Sequence, residues 1–352
     1  MSFLQNILDS LRGRQRELVD WLRNAPSPQR QLRLGPTPIE ECDTGVSSLR
    51  SAIELAERNE LGRCTVCHEI VDAHLLQMDY NASVCLDHFS REERSRLESE
   101  LELAIKVQRA LLPHATPSLP GWEIAAFSQP ASVVGGDYFD FVPFGDGAQG
   151  VIIADVMGKG MPASMLMANL QASIRIIMPE SSSPLEVVQK LNRLFRHNIT
   201  LTKFVSLFVG HLDVSTGQLS YVNAGHNPPL VVTPETGSAA GFTGLPPTGP
   251  AIGLVERPAF AVAHAAIPAG GALVLYTDGV VEARAGSDEE FGEARLKAAI
   301  AAEGLVSAQE TIRRVREHLQ AFADGASLHD DTTLVVFRRL SMDAFSRPVS
   351  SP

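Results

Sequence analysis

Aspartate stands at the ends of β-rich stretches throughout the sequence after residue 130, often next to glycine. The four instances are Gly135-Gly136-Asp137, Asp155-Val156-Met157-Gly158, Asp278-Gly279 and Asp330-Asp331. Carboxylates at strand ends can converge at one edge of a sheet, and glycines let the backbone approach closely there. Mg²⁺ and Mn²⁺ take oxygen ligands, and two such ions can hold a hydroxide and clamp a phosphoryl oxygen. Because Asp-Gly is also ordinary turn chemistry, only the recurrence of the pattern points to metal chemistry.

The same part of the chain lacks the residues of other common catalytic centres. No G-x-S-x-G elbow occurs, and no cysteine follows Cys85, which excludes thiol chemistry beyond that position. Gly158-Lys159-Gly160 precedes a predicted helix, as a phosphate-binding loop would, but lacks the Walker spacing and the Lys-Ser/Thr pair. The carboxylates are therefore the strongest candidates for catalysis.

The cysteines form a second pattern, separate from the acidic one. Three of the four cysteines stand with one histidine at the spacing of paired metal-binding knuckles. The predicted ligands are Cys64, Cys67, Cys85 and His88. Zinc prefers four tetrahedral sulfur or nitrogen ligands, and a segment this short would draw its folding energy from a structural zinc ion. His68 and His74 compete for the fourth position, and the alternative is a group of buried free thiols.

Charge and hydropathy limit the classes of partner. The chain has 41 acidic and 30 basic residues and a net charge of −11, which disfavours general nucleic-acid binding. Residues 62–90 are not basic either, so the cysteine segment is not expected to bind nucleic acid. No apolar run approaches the ~18 residues that span a bilayer, and the N-terminus lacks the apolar stretch of a signal peptide. We therefore predict a cytoplasmic protein with no membrane partner.

Helical patterns flank the cysteine segment. Leucine spacing predicts a helix over 3–23, followed by a proline-rich linker over 24–45 and a second helix over about 46–61. The first helix is interpreted either as a dimerising helix or as an amphipathic helix packed on its own chain. A charged helix is predicted from Arg91 to about Leu112, where it either transmits a signal or only connects two domains. Its apolar positions are Leu97, Leu101, Ala104, Gln108 and Leu111.

Short β-rich runs begin near Gly121 and alternate irregularly with helical segments. The strand candidates are WEIAAF, YFDFVPF, QGVIIADV, FVSLFVGHLDV, QLSYVNAG, PLVVT, ALVLYTDG and TTLVVFRR. The helix candidates cover about 162–178, 184–199, 289–303 and 307–323. Ser215-Thr216-Gly217 predicts a hairpin. Without regular βαβ alternation, the pattern favours a layered α+β domain.

The predicted organisation has five parts. They are an N-terminal helical region with its linker (1–61), a zinc-binding module (62–90), a connecting helix (91–113), a catalytic domain (114–340) and a disordered tail (341–352). The length of 352 residues alone predicts about two domains, and the patterns assign them as one small metal-folded unit and one large domain.

Five motifs in fixed order carry a resemblance to a known family. They are GGDYFDF, IADVMGKGMPASMLMA, YVNAGHNPPLVV, LYTDGVVEA and HDDTTLVVF. Roughly residues 95–340 resemble the metal-dependent protein phosphatase (PPM, type 2C-like) superfamily, in its bacterial SpoIIE/RsbU-like branch. The resemblance implies an α-β-β-α sandwich with two Mn²⁺ or Mg²⁺ ions in its cleft. It also implies hydrolysis of phosphoserine or phosphothreonine on a protein.

The resemblance further implies a role for individual residues. Asp155 would bridge both metals, with the Val156 carbonyl as a backbone ligand. Asp278 and Asp330 would complete one metal site. Asp137 would bind metal directly or through water. The zinc segment lies outside the resemblance.

Four other positions depart from the family pattern or are ambiguous within it. Many type 2C enzymes have a histidine two residues after the bridging aspartate, where this chain has Met157, so water would protonate the leaving group. No equivalent of their phosphate-binding arginine stands out, which leaves metals, backbone or Lys159, although Lys159 fits a solvated loop lysine as well. Asp331 is a further candidate metal ligand, at a position that is often Asn in the superfamily. His226 is expected to be structural.

The resemblance implies a serine/threonine phosphatase of the partner-switching kind. Such enzymes often act on small phosphorylated STAS-domain regulators, the anti-anti-sigma factors. The N-terminal and connecting helices would then regulate the enzyme or form a homodimer. The alternative is a catalytically silent, zinc-containing signalling scaffold that binds a phosphoprotein or another partner. The complete acidic set favours the enzyme.

Overall fold

A computed structural model describes residues 53–54, 57, 63–64, 66–69, 85, 88, 91–158, 160–198, 204–234, 241–255, 258–285, 289–302, 304–324 and 330–341. The predicted helix over 3–23, the linker over 24–45 and nearly all of the predicted helix over 46–61 lie outside the described residues. Lys159, His74 and nearly all of the tail lie outside them as well. The five-part division of the chain therefore stays a prediction.

Ten strands in the described residues form two five-stranded sheets. They are β1 (Trp122–Gln129), β2 (Tyr138–Asp140), β3 (Gln149–Val156), β4 (Val205–Leu212), β5 (Gln218–Ala224), β6 (Leu230–Thr233), β7 (Gly241–Gly244), β8 (Ala263–Ala266), β9 (Ala272–Tyr276) and β10 (Thr332–Arg339). The first sheet has the order β1-β10-β9-β6-β7 and the second the order β2-β3-β4-β5-β8. Every strand pairing is antiparallel.

Six α-helices accompany the sheets in the described part of the chain. They are α1 (Arg91–Leu111), α2 (Met161–Ile177), α3 (Pro184–Asn198), α4 (Asp278–Val281), α5 (Gly292–Ala301) and α6 (Ala308–Ala323). Local sequence sets their ends: Pro162 lies in the first turn of α2, and the Ser307 side chain caps α6 by accepting from the Glu310 amide at 3.1 Å. None of these helices is long and apolar enough to cross a membrane.

Three buried apolar clusters separate four layers. The first packs the second sheet against α2 and α3, and the second packs the first sheet against α5 and α6. The third lies between the two sheets. Strand β3 shows how alternation serves both faces, because Ile152 and Ala154 join the helix-facing cluster while Val151 and Ile153 join the inter-sheet cluster. The α-β-β-α sandwich is confirmed.

Most predicted elements are confirmed to within a few residues. The hairpin joins β4 to β5, and Gly217 there adopts a φ of 73°, a left-handed conformation that glycine tolerates. The sequence prediction missed β7, β8 and α4. The sequences of these two strands, GFTG and AHAA, leave several residues exposed and lack the apolar alternation by which strands are recognised.

The first and last strands of the sandwich are neighbours. Strands β1 and β10 pair along their full length, with Trp122 opposite Arg339 and Gln129 opposite Thr332. The chain therefore enters and leaves the sandwich side by side.

Candidate metal centre

The five predicted acidic ligands lie at the ends of strands from both sheets. Asp137 precedes β2, and Asp155 is the last residue but one of β3, its antiparallel partner. Asp278 follows β9, whereas Asp330 and Asp331 precede β10, which is antiparallel to β9. Within each sheet, the carboxylates therefore lie at the same end of the paired strands.

Direct contacts join the two sets of aspartates across the sheets. The Thr277 hydroxyl, next to Asp278, donates to Oδ2 of Asp137 at 2.8 Å. The Gly136 amide, next to Asp137, donates to Oδ2 of Asp331 at 2.6 Å. The two sheets thus bring their acidic ends to one place, as the sequence analysis predicted.

Asp137 is a buried charge, with a fractional exposure of 5%, equal to that of Asp331. Burial, and next the negative charge of Asp155, raise the pKa of Asp137 well above its ordinary value. Hydrogen bonds from Thr333 and Thr277 partly offset this rise. A buried carboxylate beside another carboxylate is an unfavourable arrangement that a bound cation would relieve.

Asp331 organises the loop that carries Asp137. Its two carboxylate oxygens accept from the backbone amides of Ala131 at 2.8 Å and Gly136 at 2.6 Å. Burial raises the pKa of Asp331, and these two amide hydrogen bonds oppose the rise. The contacts make Asp331 a positioning residue for the 131–136 loop, and its role as a direct metal ligand stays a prediction.

Glycines make the close approaches possible. A Cβ on Gly135 would stand 2.5 Å from Oδ2 of Asp331, and one on Gly136 would stand 2.7 Å from the Val156 carbonyl oxygen. Both distances are shorter than side chains tolerate, so the Gly-Gly pair lets the loop lie against β3 and Asp331 together. The Val156 carbonyl, a predicted backbone ligand, therefore faces the loop that carries Asp137.

The acidic residues fit hard divalent cations in chemistry but stay apart in space. All of their donor atoms are oxygens, which Mg²⁺ and Mn²⁺ prefer. Within the described residues, however, no three of these carboxylates bring their oxygens within 4.8 Å of one another, unlike the cysteine–histidine cluster.

Helix α1 borders a cavity of about 370 Å³ that opens onto the acidic centre. Gln108 and Arg109 line it from the helix side, and Asp137 and Asp331 line it from the other. The Gln108 amide donates to the Gly135 carbonyl at 2.5 Å and accepts from the Gly135 amide at 3.1 Å. The sequence analysis placed Gln108 on the apolar face of this helix but missed this contact, and it missed Arg109 entirely.

Two further predicted positions differ in exposure. His226 is 1% exposed, and its Nδ1 lies 2.8 Å from the Ser206 hydroxyl, which agrees with the structural role expected of it. Ser206 is paired opposite Asp155 in the β3–β4 register, so His226 contacts the strand next to the one that carries this carboxylate. The side chain of Met157, by contrast, is 44% exposed to solvent.

The structure also gathers the four predicted sulfur and nitrogen ligands. Their ligand atoms all lie within 4.8 Å of one another. This cluster consists of Cys64, Cys67, Cys85 and His88, and none of its three cysteines is in a disulfide.

Comparisons with known sequences identify the family of this chain. The profile of the family described as Stage II sporulation protein E (SpoIIE) matches residues 145–340. Phosphoserine phosphatase RsbU of Bacillus subtilis is 30% identical over 247 residues, which cover 70% of this chain and 72% of RsbU. Protein IcfG of Synechocystis is 31% identical over 267 residues, which cover 68% of this chain but only 41% of IcfG.

A solved structure agrees with the observed fold. The SiaA-PP2C domain of Pseudomonas aeruginosa superposes with a TM-score of 0.61 at 20% identity. The similarity covers 70% of this chain and 98% of that domain. The sandwich is therefore a PP2C-like fold.

Proposed function

The chain belongs to the Stage II sporulation protein E (SpoIIE) family, and from this membership we propose that it is a metal-dependent protein phosphatase. One observation carries the proposal most strongly. Both sheets bring their acidic strand ends together, and the contacts of Thr277 with Asp137 and of Gly136 with Asp331 join them. Such a set of oxygen donors suits two divalent cations better than any other catalytic group.

The proposed ligands are those that the sequence motifs predict. They are Asp137, Asp155, the Val156 carbonyl, Asp278 and Asp330, with Asp331 holding the loop beside them. Two bound Mn²⁺ or Mg²⁺ ions would supply a water of lowered pKa and positive charge beside the phosphoryl oxygens. A zinc ion at the cysteine–histidine cluster would have no part in hydrolysis, because four protein ligands leave no open position.

The residues around the cavity orient the substrate. Arg109 lines the cavity with Asp137 and Asp331, where its guanidinium can contact a phosphate oxygen. Lys159 lies outside the described residues, so it stays a predicted phosphate-binding residue beside Arg109. Met157 carries no transferable proton, so water supplies the proton to the leaving oxygen.

The proposed substrate is a phosphoserine or phosphothreonine on a bacterial signalling protein, such as a STAS-domain anti-anti-sigma regulator. The relative RsbU is named a phosphoserine phosphatase, which supports this substrate class. We also propose that residues 114–340 form the catalytic domain and that the helix over 91–113 joins it to an N-terminal regulatory or dimerising region. A cytoplasmic location stays a prediction.

The competing function is a silent scaffold that binds a phosphoprotein without cleaving it. Measurement of Mn²⁺-dependent phosphate release from a phosphoserine protein separates the two. We expect Asp155→Asn and Asp278→Asn each to lower kcat/KM by at least about 10³-fold, because each removes a metal ligand.

Asp146→Asn is the matched control for this measurement. Asp146 is an exposed aspartate in the β2–β3 connection, at the opposite end of these strands, and the same substitution there should leave activity unchanged. Equal activity of the wild type and both centre variants would falsify the enzymatic proposal. Absence of Mn²⁺ binding by calorimetry would favour the scaffold.

A further inference from the structure

We propose that Cys64, Cys67, Cys85 and His88 hold one structural zinc ion that is separate from the acidic centre. The four side chains offer three sulfurs and one imidazole nitrogen, and these atoms all lie within 4.8 Å of one another. No other group of three or more such residues in the described part of the chain converges in this way. The proposal does not depend on the phosphatase activity.

The spacing of the sulfurs fits a metal better than a disulfide. Sγ of Cys67 lies 4.0 Å from Sγ of Cys85. With zinc–sulfur bonds of about 2.3 Å, two sulfurs of a tetrahedron stand about 3.8 Å apart. A disulfide would need about 2.05 Å. The thiols therefore stand at the separation at which one ion could bind both.

Backbone amides near Cys64 and Cys67, the first pair of predicted ligands, are placed to stabilise a thiolate. The amides of Val66 and Cys85 both donate to Sγ of Cys64 at 3.4 Å. Amide hydrogen bonds to a sulfur favour its charged form, which is the form that binds metal. The Cys85 contact also joins the second pair to the first, across 21 positions of the sequence.

A closed turn fixes the direction of these side chains. The His68 amide donates to the Cys64 carbonyl at 2.8 Å, and the Cys64 amide donates to the Glu69 carbonyl at 2.7 Å. His68 adopts a φ of 59°, a left-handed conformation that non-glycine residues rarely take. This turn presents both Cys64 and Cys67 to the same point, as a metal-binding knuckle must.

The donor set selects the metal. Three thiolates and one imidazole match the tetrahedral sites of structural zinc, whereas Mg²⁺ and Mn²⁺ prefer oxygen. Four protein ligands fill the coordination sphere, so the ion would stabilise structure and not activate water. His88 precedes the first residue of α1, Arg91, by three positions, so the ion would anchor the chain where this helix begins.

The test measures zinc in the full-length chain, purified without chelators and dialysed against metal-free buffer. Elemental analysis should find about one zinc per chain. Cys85→Ser and His88→Ala should lose it, whereas Cys42→Ser, at the cysteine outside the pattern, should keep it. Replacement of zinc by Co²⁺ should give the intense absorption of a tetrahedral ion and a thiolate charge-transfer band.

A second variant shows whether zinc is lost because a ligand is missing or because the protein misfolds. His88→Cys offers four sulfurs, so it should retain zinc and shift the cobalt spectrum. Asp155→Asn should also retain zinc, which separates this proposal from that for the acidic centre. A wild-type chain without zinc, zinc that every cluster variant retains, or a Cys67–Cys85 disulfide found by mass spectrometry would overturn the proposal.

Discussion

The two candidate metal centres are built in opposite ways. The cysteine–histidine cluster draws its ligands from positions 64 to 88 and is already closed, with its ligand atoms within 4.8 Å of one another. The acidic centre draws on positions 137 to 331, from both sheets, and its carboxylates stay apart. A turn between Cys64 and Glu69 presents the first two sulfur ligands, whereas only the packing of the two sheets brings the carboxylates together. The first centre is therefore formed by local turns and the second by the whole fold.

One group in each centre has a raised pKa. Burial, followed by the neighbouring Cys64 and Cys67 side chains, raises the pKa of Cys85 to about 12. That thiol is therefore neutral at pH 7 and tolerates its neighbours. Burial raises the pKa of Asp137 as well, but there the charge of Asp155 opposes ionisation. The acidic centre therefore depends on hydrogen bonds and glycine clearance to keep its carboxylates in place.

Of the substitutions that should affect one centre and not the other, Asp331→Ala is expected to have the largest effect. The substitution leaves the Ala131 and Gly136 amides without their acceptor and frees the loop that carries Asp137. We expect a loss of about 3 kcal/mol in the free energy of unfolding, measured with urea, together with loss of phosphatase activity. Zinc content should not change.

Asp331→Asn is the companion variant, because its one carbonyl oxygen can still accept one of the two amide bonds. It should lose less stability than the alanine variant. If both variants unfold like the wild type, hydrogen bonds to Asp331 do not hold the acidic centre together.

A smaller effect is expected at the cavity beside α1. Arg109→Gln removes the cation that lines the cavity with Asp137 and Asp331. We expect KM for a phosphoprotein to rise roughly tenfold, with Mn²⁺ affinity unchanged, because the guanidinium contacts phosphate and not metal. Steady-state kinetics with Arg96→Gln as a control tests this, since Arg96 on the same helix is exposed and pairs with Glu100. An unchanged KM would remove Arg109 from the substrate site.

The smallest effect is a gain in stability. In the metal-free protein, the raised pKa of Asp137 means that the folded state binds a proton more tightly than the unfolded state. Stability should therefore fall as pH rises from the ordinary aspartate pKa to the raised one, and stay low above it. Asp137→Asn removes this cost and should raise stability at pH 7 by on the order of 1 kcal/mol, while activity is lost.

Thermal unfolding in chelator measures this gain. Asp146→Asn provides the opposite case, because the Ala148 amide and then His211 lower the pKa of Asp146. That variant should gain nothing. A lower melting temperature for Asp137→Asn would mean that the buried charge of Asp137 beside Asp155 does not destabilise the folded protein.

The sequence predicts the local centre more completely than the distributed one. The Cys-x2-Cys and Cys-x2-His spacings predict a ligand set directly, and the structure brings all four side chains together. The aspartates could be predicted because each lies in a motif at a strand end. Their supports could not, because the Thr277–Asp137 bond spans 140 positions and the Gln108–Gly135 contact joins a helix to a loop. Such partners depend on how the sheets pack, which no local pattern encodes.

The pairing of β1 with β10 has a consequence for how this sandwich combines with other modules. Because Trp122 lies opposite Arg339, the two ends of the unit leave from neighbouring strands. A unit whose ends meet can be inserted into another chain, or joined to new neighbours, without pulling its layers apart. The matched segment fills 72% of RsbU but 41% of IcfG, so these relatives carry it beside different amounts of additional sequence. The sandwich is therefore suited to be joined to different additional domains.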